Sequence, residues 1–301
     1  MLDCLIIGAG PAGLTAAIYL ARFHLKVGII DAGQSRTLLI PETHNHAGYP
    51  DGISGVALLA RIRQQAVQYG AKIWDGQVSA IKRKNGHFII TYDYGTVSAL
   101  TVLLATGVVN RRPDIDDDLH DEALASGHLR YCPVCDGFEV TDQKVAVIGT
   151  GEHGLEEAEF LRSYTQDISL ISPDEAHALD DTQYERARQL GINVLDGPAK
   201  IVGVKNCEIF VTTRDGEFGC ASIYPALGST VNSQLANALG AKCDDDNGIN
   251  VDAHQRTSVK ALYAAGDVVI GLDQISHAMG GGGVAAVAIR NDLAERSPLL
   301  R

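Results

Sequence analysis

Residues 130–139 read RYCPVCDGFE, which puts two thiols, Cys132 and Cys135, two residues apart and a carboxylate, Asp136, directly behind the second. Such a pair can bind zinc, can cycle between disulfide and dithiol, or can be a coincidence of composition. Zinc needs a second pair of ligands at suitable spacing. No further C-x-x-C and no spaced histidine pair follows, and His44, His46 and His128 do not complete the pattern, so no metal is expected. The redox alternative has a mechanism. Two intervening residues close a small ring, so the disulfide opens and re-forms readily, and a thiol at the start of a helix has a lowered pKa and more thiolate. Pro133 stiffens the ring. Asp136 can give or take a proton, or serve simply as a helix-start residue.

A redox pair needs a source or sink of electrons. Gly8, Gly10 and Gly13 form G-x-G-x-x-G between the apolar run DCLIIG and the helical pattern LTAAIYLARF. The first glycine permits a tight turn, the second lets backbone approach a pyrophosphate, and the third allows close helix–strand packing. The helix N-terminus then offers free N–H groups to the anion. Asp31 ends the next apolar run, KVGIID, where its carboxylate can accept from a ribose hydroxyl. Strand, glycine turn, helix and strand within about 30 residues predict a dinucleotide site. Pro11 and Ala12 inside the loop, ATG at 105–107 (with Thr106 and Gly107) and AAGD at 264–267 (with Gly266 and Asp267) together resemble the pattern of two-dinucleotide flavoproteins. That resemblance implies FAD, with Asp267 near its ribityl–pyrophosphate part. It also implies that both ends of the chain meet at the cofactor.

The same strand–glycine–helix–strand order returns about 140 residues later, in KVAVIGTGEHGLEEAEFLRSY followed by DISLIS. Residues 58–69 read as an amphipathic helix, 71–104 as short β runs with a hairpin at Asn85–Gly86, and 111–122 as a polar linker. The small-residue stretch SHAMGGGGVAAVAIRNDL predicts a C-terminal helix, its four glycines either packing closely near the cofactor or forming a loop. The chain of 301 residues has a net charge of −12, and residues 111–222 alone carry −13. An acidic chain disfavours nucleic acid and anionic lipid as partners, and the asymmetry marks the middle third as a separate unit. No apolar run is long enough to span a membrane. The N-terminus lacks a basic leader region, so a cytoplasmic location is expected. In a reducing compartment Cys4, Cys207, Cys220 and Cys243 are expected to be inert thiols.

Taken together, GAGPAG, ATG, CPVCDG, the second glycine loop, AAGD and Gln274 ahead of a small-residue helix resemble the low-molecular-weight thioredoxin reductases over essentially the whole chain. The resemblance implies an α/β architecture of two Rossmann-like three-layer nucleotide-binding domains. The FAD domain would be discontinuous (1–110 and 223–301), with a second, NAD(P)H-like domain carrying the C-x-x-C inserted at 111–222. It further implies a homodimer and a domain rotation that shows the disulfide alternately to flavin and to substrate. By the same resemblance Cys135 is the flavin-proximal thiol, Cys132 the thiol that attacks a partner disulfide, and Asp136 the acid/base. Asn45 would lie near the flavin ring, although its HNHAGYP context departs from the family. Gln274, Ile275 and His277 would approach the flavin, with a surface histidine as the alternative for His277.

The second loop breaks the pattern. Gly149, Gly151 and Gly154 keep the spacing, but Glu152 and His153 stand where NADPH-binding members have small residues. A carboxylate at a helix N-terminus competes with a pyrophosphate for the same N–H groups. The following strand leads into ISPDEAHAL, and no Lys or Arg lies between Arg162 and Arg186 to clamp a 2′-phosphate. NADPH is therefore not expected as the ordinary donor. NADH stays open, because Asp174 or Glu175 could accept from a 2′-hydroxyl. The expectation is a FAD-dependent disulfide oxidoreductase with an unknown electron donor and a thioredoxin-like protein or small dithiol as partner. Ferredoxin, usually acidic, would have to dock on the near-neutral FAD domain. The alternatives are a flavin-dependent dithiol oxidase that uses oxygen, and a non-catalytic redox sensor.

Overall fold

The computed structural model describes residues 1–300. Its core begins with the strand Leu2–Ile7, whose side chains alternate between two apolar clusters: Cys4 and Ile6 face one, Leu5 and Ile7 the other. A strand buried on both faces belongs in the middle of a parallel sheet covered on each side. It is paired in parallel with Val27–Asp31 on one edge and with the long strand Gly95–Leu104 on the other. Lys72–Asp75 extends the first edge, and Leu262–Ala264, from the far end of the chain, pairs with the last turn of Gly95–Leu104. The remainder of that long strand is the third member of an antiparallel meander with Val78–Lys84 and His87–Tyr92. The turn between those two strands puts both Asn85 and Gly86 at positive φ, as the Asn-Gly pair predicts.

The middle third repeats the plan. Val145–Ile148 lies between Ile168–Ile171 and Ser222–Pro225, with Asn193–Leu195 outermost, all parallel. Its central strand again alternates, Ala146 and Ile148 into one cluster, Val145 and Val147 into the other. A three-stranded meander, Lys200–Lys205, Glu208–Thr213 and Gly216–Cys220, here forms its own sheet. The two passes of chain between the domains, Val108–Asn110 and Ser229–Val231, pair with each other as a two-stranded antiparallel ribbon.

Two boundaries differ from the sequence expectation. The strand at Ser222–Pro225 belongs to the inserted sheet, so the chain leaves that domain after Pro225 rather than at 222/223. An apolar run such as IYPAL announces a strand but not its partner. The polar stretch 111–122 is also not all linker: Asp116 caps the helix Asp117–Ala125 by accepting from Asp118 N–H. Among the described residues, no helix is long and apolar enough to cross a membrane.

Two helices carry the first nucleotide loop. Pro11–Arg22 starts at the loop, and Ile275–Arg296 packs along it through Ala285, Ala286, Ile289 and Leu293. The four glycines at 280–283 lie inside this second helix, and a Cβ on Gly282 would overlap the carbonyl oxygen of Ala12. Small residues are thus required for the two backbones to meet. Gly282→Ala is expected to cost about 1–3 kcal/mol through overpacking, read as a lower urea midpoint. An unchanged midpoint would show that this contact does not constrain the fold.

Candidate active site

The first glycine loop is built as its spacing predicts. Gly8 has φ +102°, and a Cβ there would overlap the Ala105 carbonyl oxygen. A Cβ on Gly13 would meet the Gly8 carbonyl. Helix Pro11–Arg22 has Gly10 at its N-cap, with no side-chain cap and no acidic residue in its first turn. Its free N–H groups face a cleft of about 540 Å³ lined by Gly8–Ala12, Asp31, Thr106, Gly107, Gly266 and Asp267. Asp31 accepts from Ala9 N–H at 3.0 Å, which ties the loop to the second strand. The Thr106 hydroxyl donates to the Asn232 carbonyl at 2.7 Å and fixes the ATG turn against the returning chain.

This cleft continues, past Pro11, Arg36, Asp267 and Ala278, into a second cavity of about 310 Å³ between the two domains. At its far wall sit Cys132 and Cys135, joined as a disulfide. Cys132 caps the single-turn helix Pro133–Asp136, and its sulfur accepts the Cys135 N–H at 3.1 Å. Gln274 reaches both sulfurs: Nε2 lies 3.2 Å from Cys135 Sγ and 3.3 Å from Cys132 Sγ. Asn45 Nδ2 donates to Gln274 Oε1 at 3.1 Å and to the Val134 carbonyl at 3.3 Å. On the outer side of the disulfide, Val134 and Phe138 are exposed, the latter by 79%.

Asp136 faces inward. The Tyr224 hydroxyl donates to its Oδ1 at 3.0 Å and Arg130 approaches Oδ2 at 3.1 Å. Burial pushes its carboxyl above the usual range, against the opposing effects of the Arg130 charge and the Tyr224 hydrogen bond. A carboxyl that keeps its proton to higher pH suits proton exchange beside a thiol. Glu157, on the helix Gly151–Leu161, is pushed up to about 7, first by burial and then by the charge of Asp136.

The structure brings together most of the residues expected from the sequence: Gly8, Gly10, Pro11, Ala12, Asp31, Thr106, Gly107, Gly266 and Asp267 at the first cleft, and Asn45, Gln274 and Ile275 with the disulfide at the second. His277 is not among them. It is exposed and lines neither cavity, because its Nδ1 bond to the Leu272 carbonyl at 2.7 Å holds the ring over the preceding loop, beside Gly271. Arg36, Arg130 and Tyr224 escaped the sequence reading. Arg36 bridges Asp267 at 2.8 Å and Asp273 at 3.1 Å where the two cavities join. Its only signal was a lone cation soon after Asp31. Tyr224 sat unnoticed in the apolar run of the last inserted strand. The lone cysteines divide: burial pushes Cys4 and Cys220 up to about 12, while Cys207 is exposed.

The second glycine loop has an ion-pair cluster of its own chain beside it. Glu152, in the first turn of Gly151–Leu161, accepts from Arg186 at 2.9 Å and from Gln183 at 2.8 Å. Arg186 also binds Glu159 through two nitrogens. The loop following Ile168–Ile171 lies against the glycine turn, its Ala178 N–H donating to the Thr150 hydroxyl at 2.7 Å. Here too the sequence count misled in part. An arginine does reach this helix, from beyond the segment searched, but two carboxylates hold it.

A disulfide between two nucleotide-binding-like domains, facing a cleft built for a dinucleotide, defines a flavoprotein oxidoreductase acting on a sulfur group. The family of the pyridine nucleotide-disulphide oxidoreductases matches residues 2–286. Thioredoxin reductase of Mycolicibacterium smegmatis is 30% identical over 279 residues, covering 89% of this chain and 88% of that protein. The crystal structure of thioredoxin reductase from Streptococcus pyogenes superposes with a TM-score of 0.88 at 26% identity, covering 98% of this chain and 99% of that one. The Lactococcus lactis thioredoxin reductase in its FR conformation gives 0.64 at 27% identity, with 98% and 100% covered. The chain belongs to the pyridine nucleotide-disulphide oxidoreductases, and within them to the low-molecular-weight thioredoxin reductase family.

Glu157 makes the fold sensitive to pH. Between its ordinary 4.5 and about 7, the folded protein keeps a proton that the unfolded chain has released. Stability is therefore lost as pH rises through that window, by roughly 3 kcal/mol at most. Glu157→Gln is expected to flatten the fall in melting temperature between pH 5 and pH 8. Parallel curves for variant and parent would reject the assignment.

Proposed function

We propose that this protein exchanges electrons between FAD and a thioredoxin-like protein or small dithiol partner through Cys132–Cys135, and does not take them from NADPH in the ordinary way. The observation that carries the second part is Glu152. It places a carboxylate in the first turn of the helix where a cofactor phosphate would approach, and Glu152 and Glu159 together pair Arg186. The acidic surface of residues 111–222 adds repulsion toward a polyanionic cofactor.

The residues of the first cleft fit FAD. Gly8 and Gly266, both at positive φ, make turns in which a Cβ would strike Ala105 and Ala12, so the cleft is walled by bare backbone, and the uncapped helix at Pro11 offers N–H groups to a pyrophosphate. Gly10–Gly13 would hold that group, Asp31 a ribose, Thr106 and Gly107 the adjoining wall, and Asp267 the ribityl side. Bound there, FAD would supply two-electron chemistry next to the disulfide. In the thiol half of the reaction, Cys132 thiolate attacks a partner disulfide, forming a mixed disulfide and releasing one partner thiol. Cys135 then displaces the second and restores the Cys132–Cys135 bond. Asp136, oriented by Tyr224 and Arg130, holds the proton that this exchange moves. Val134 and Phe138 offer an apolar rim for the partner.

The same closed loop favours one further reading, a dithiol oxidase that passes electrons to oxygen. The discriminating experiment is anaerobic mixing of the yellow protein with NADPH, NADH, a reduced viologen and dithiothreitol while flavin absorbance is followed. Bleaching by viologen and dithiol but not by micromolar NADPH is expected. Rapid stoichiometric bleaching by NADPH would overturn the proposal, and oxygen consumption with a dithiol would select the oxidase. Turnover of either kind excludes a mere sensor, and Cys135→Ser should abolish it.

The sealed loop can be tested by itself. Replacing both Glu152 and Glu159 by Gln frees Arg186 and should tighten NADPH binding at least about ten-fold, as one recovered charge-assisted contact would. Protein fluorescence titration measures this, and equal affinities would show that the carboxylates do not close the site.

A further inference from the structure

Gln274 stands in an unusual relation to the disulfide. It is the N-cap of the helix Ile275–Arg296, and its side chain leaves the helix to meet the inserted domain. The orientation of its amide is fixed by a directional chain. The Thr43 hydroxyl donates to Asn45 Oδ1 at 2.9 Å, which leaves the Asn45 amide group as donor. That group donates to Gln274 Oε1 at 3.1 Å, which in turn leaves Nε2 to point at the sulfurs, 3.2 and 3.3 Å away. The sense of the chain is set by the Val134 carbonyl, which can only accept and takes the Asn45 amide group at 3.3 Å, while the Thr43 hydroxyl can donate or accept and follows. Thr43 is itself buried, in a bridge to Ile53 whose backbone bonds hold the segment before Asn45 in place.

We propose that Gln274 is a catalytic residue of the disulfide reaction, donating to the sulfurs to stabilise the thiolate formed when the bond opens, and that Asn45 is the positioning residue that keeps its amide turned that way. A neutral disulfide sulfur is a weak acceptor, whereas a thiolate is a charged one, and hydrogen bonds to charged groups are about twice as strong. The contact therefore strengthens as the S–S bond breaks, which is the condition for helping a reaction rather than merely binding its ground state. The step is balanced with a dithiol as reductant. The dithiol loses two electrons and two protons and becomes a disulfide. The Cys132–Cys135 bond takes the two electrons and one proton, leaving a thiol and a thiolate, and the second proton goes to solvent or to Asp136.

The other charged groups facing this cavity are largely paired. Arg130 lies on Asp136, and Arg36 lies between Asp267 and Asp273. Glu139 from the inserted domain, with Glu42 and His44 from the FAD domain, completes the set. Behind Asp136, Glu157 adds a further carboxyl. None of these donates a hydrogen bond to either sulfur, so the thiolate receives N–H groups from Cys135 N and Gln274 Nε2.

The inference rests on the redox role of the disulfide, and its test separates the two. The flavin-loaded protein and its Gln274→Met, Gln274→Glu and Asn45→Asp variants are equilibrated anaerobically in mixtures of oxidised and reduced dithiothreitol at pH 7. Free thiols are counted by alkylation, and the rate of iodoacetamide modification of the reduced proteins is followed against pH. Gln274→Met keeps the bulk and loses the donor. It should raise the apparent pKa of the more reactive thiol by about one unit and move the equilibrium about ten-fold toward disulfide, equal to about 30 mV. Gln274→Glu should do so more strongly and serves if the first variant folds poorly. Asn45→Asp keeps the shape but replaces the donor by an acceptor, so the Gln274 amide turns over and presents oxygen to the sulfurs. The same shift is expected, and it should disappear when Asn45→Asp is combined with Gln274→Met, whereas the added carboxylate charge acting by itself would move the thiol in both backgrounds. Variants that titrate with the parent overturn the role of Gln274, and an unshifted Asn45→Asp overturns that of Asn45. A parent disulfide that dithiothreitol does not reduce at all would instead overturn the functional proposal above.

Discussion

The close approach of two backbones, helix Ile275–Arg296 lying on helix Pro11–Arg22 at Gly282 and Ala12, sets where everything else in the site can be. One helix opens at the first glycine loop and the other opens at Gln274. A wider separation would pull Asp273 and Gln274 away from Arg36 and the disulfide, and would open the wall that Gly266 closes against Ala12. Dispersion and burial favour such contact only when nothing but a small residue stands between the helices, which explains the glycine at 282.

The two glycine loops of this chain share a spacing and a fold and differ in charge. At Pro11 the first turn carries no acid, and the helix end faces an open cleft. At Gly151 the first turn carries Glu152, which is bonded to Gln183 and Arg186 of the next helix. Backbone geometry makes an anion site available at both. Side-chain electrostatics distinguishes them, with no acid at the first and a paired carboxylate at the second. The inserted domain nevertheless keeps its full parallel sheet and core, because the strands are buried on both faces whether or not a nucleotide is held.

The disulfide gathers its surroundings from four separate parts of the chain. Arg130 comes from the strap before it, Tyr224 from the last inserted strand, Asn45 from the loop after the first βαβ turn, and Gln274 from the C-terminal helix. Burial raises the Asp136 carboxyl, while the Gln274 amide favours a charged sulfur a few ångströms away. A carboxyl held by Tyr224 and Arg130 and an amide donor at the sulfurs thus meet at the disulfide segment.

Local sequence determined the elements and the chemical types: glycine spacing marked the strand–turn–helix units, Asn-Gly a hairpin, the apolar runs doubly covered strands, and C-x-x-C with a following acid a candidate redox pair. Those features depend on neighbours a few residues apart, so they can be read without a fold. The partners lay beyond its reach. That IYPAL pairs with the inserted sheet, that Arg186 crosses to Glu152, and that Gln274 meets sulfur all depend on residues tens to hundreds of positions apart. Only packing in three dimensions decides which of several chemically equivalent donors and acceptors stand within hydrogen-bond distance, because that distance is set by the whole core between them.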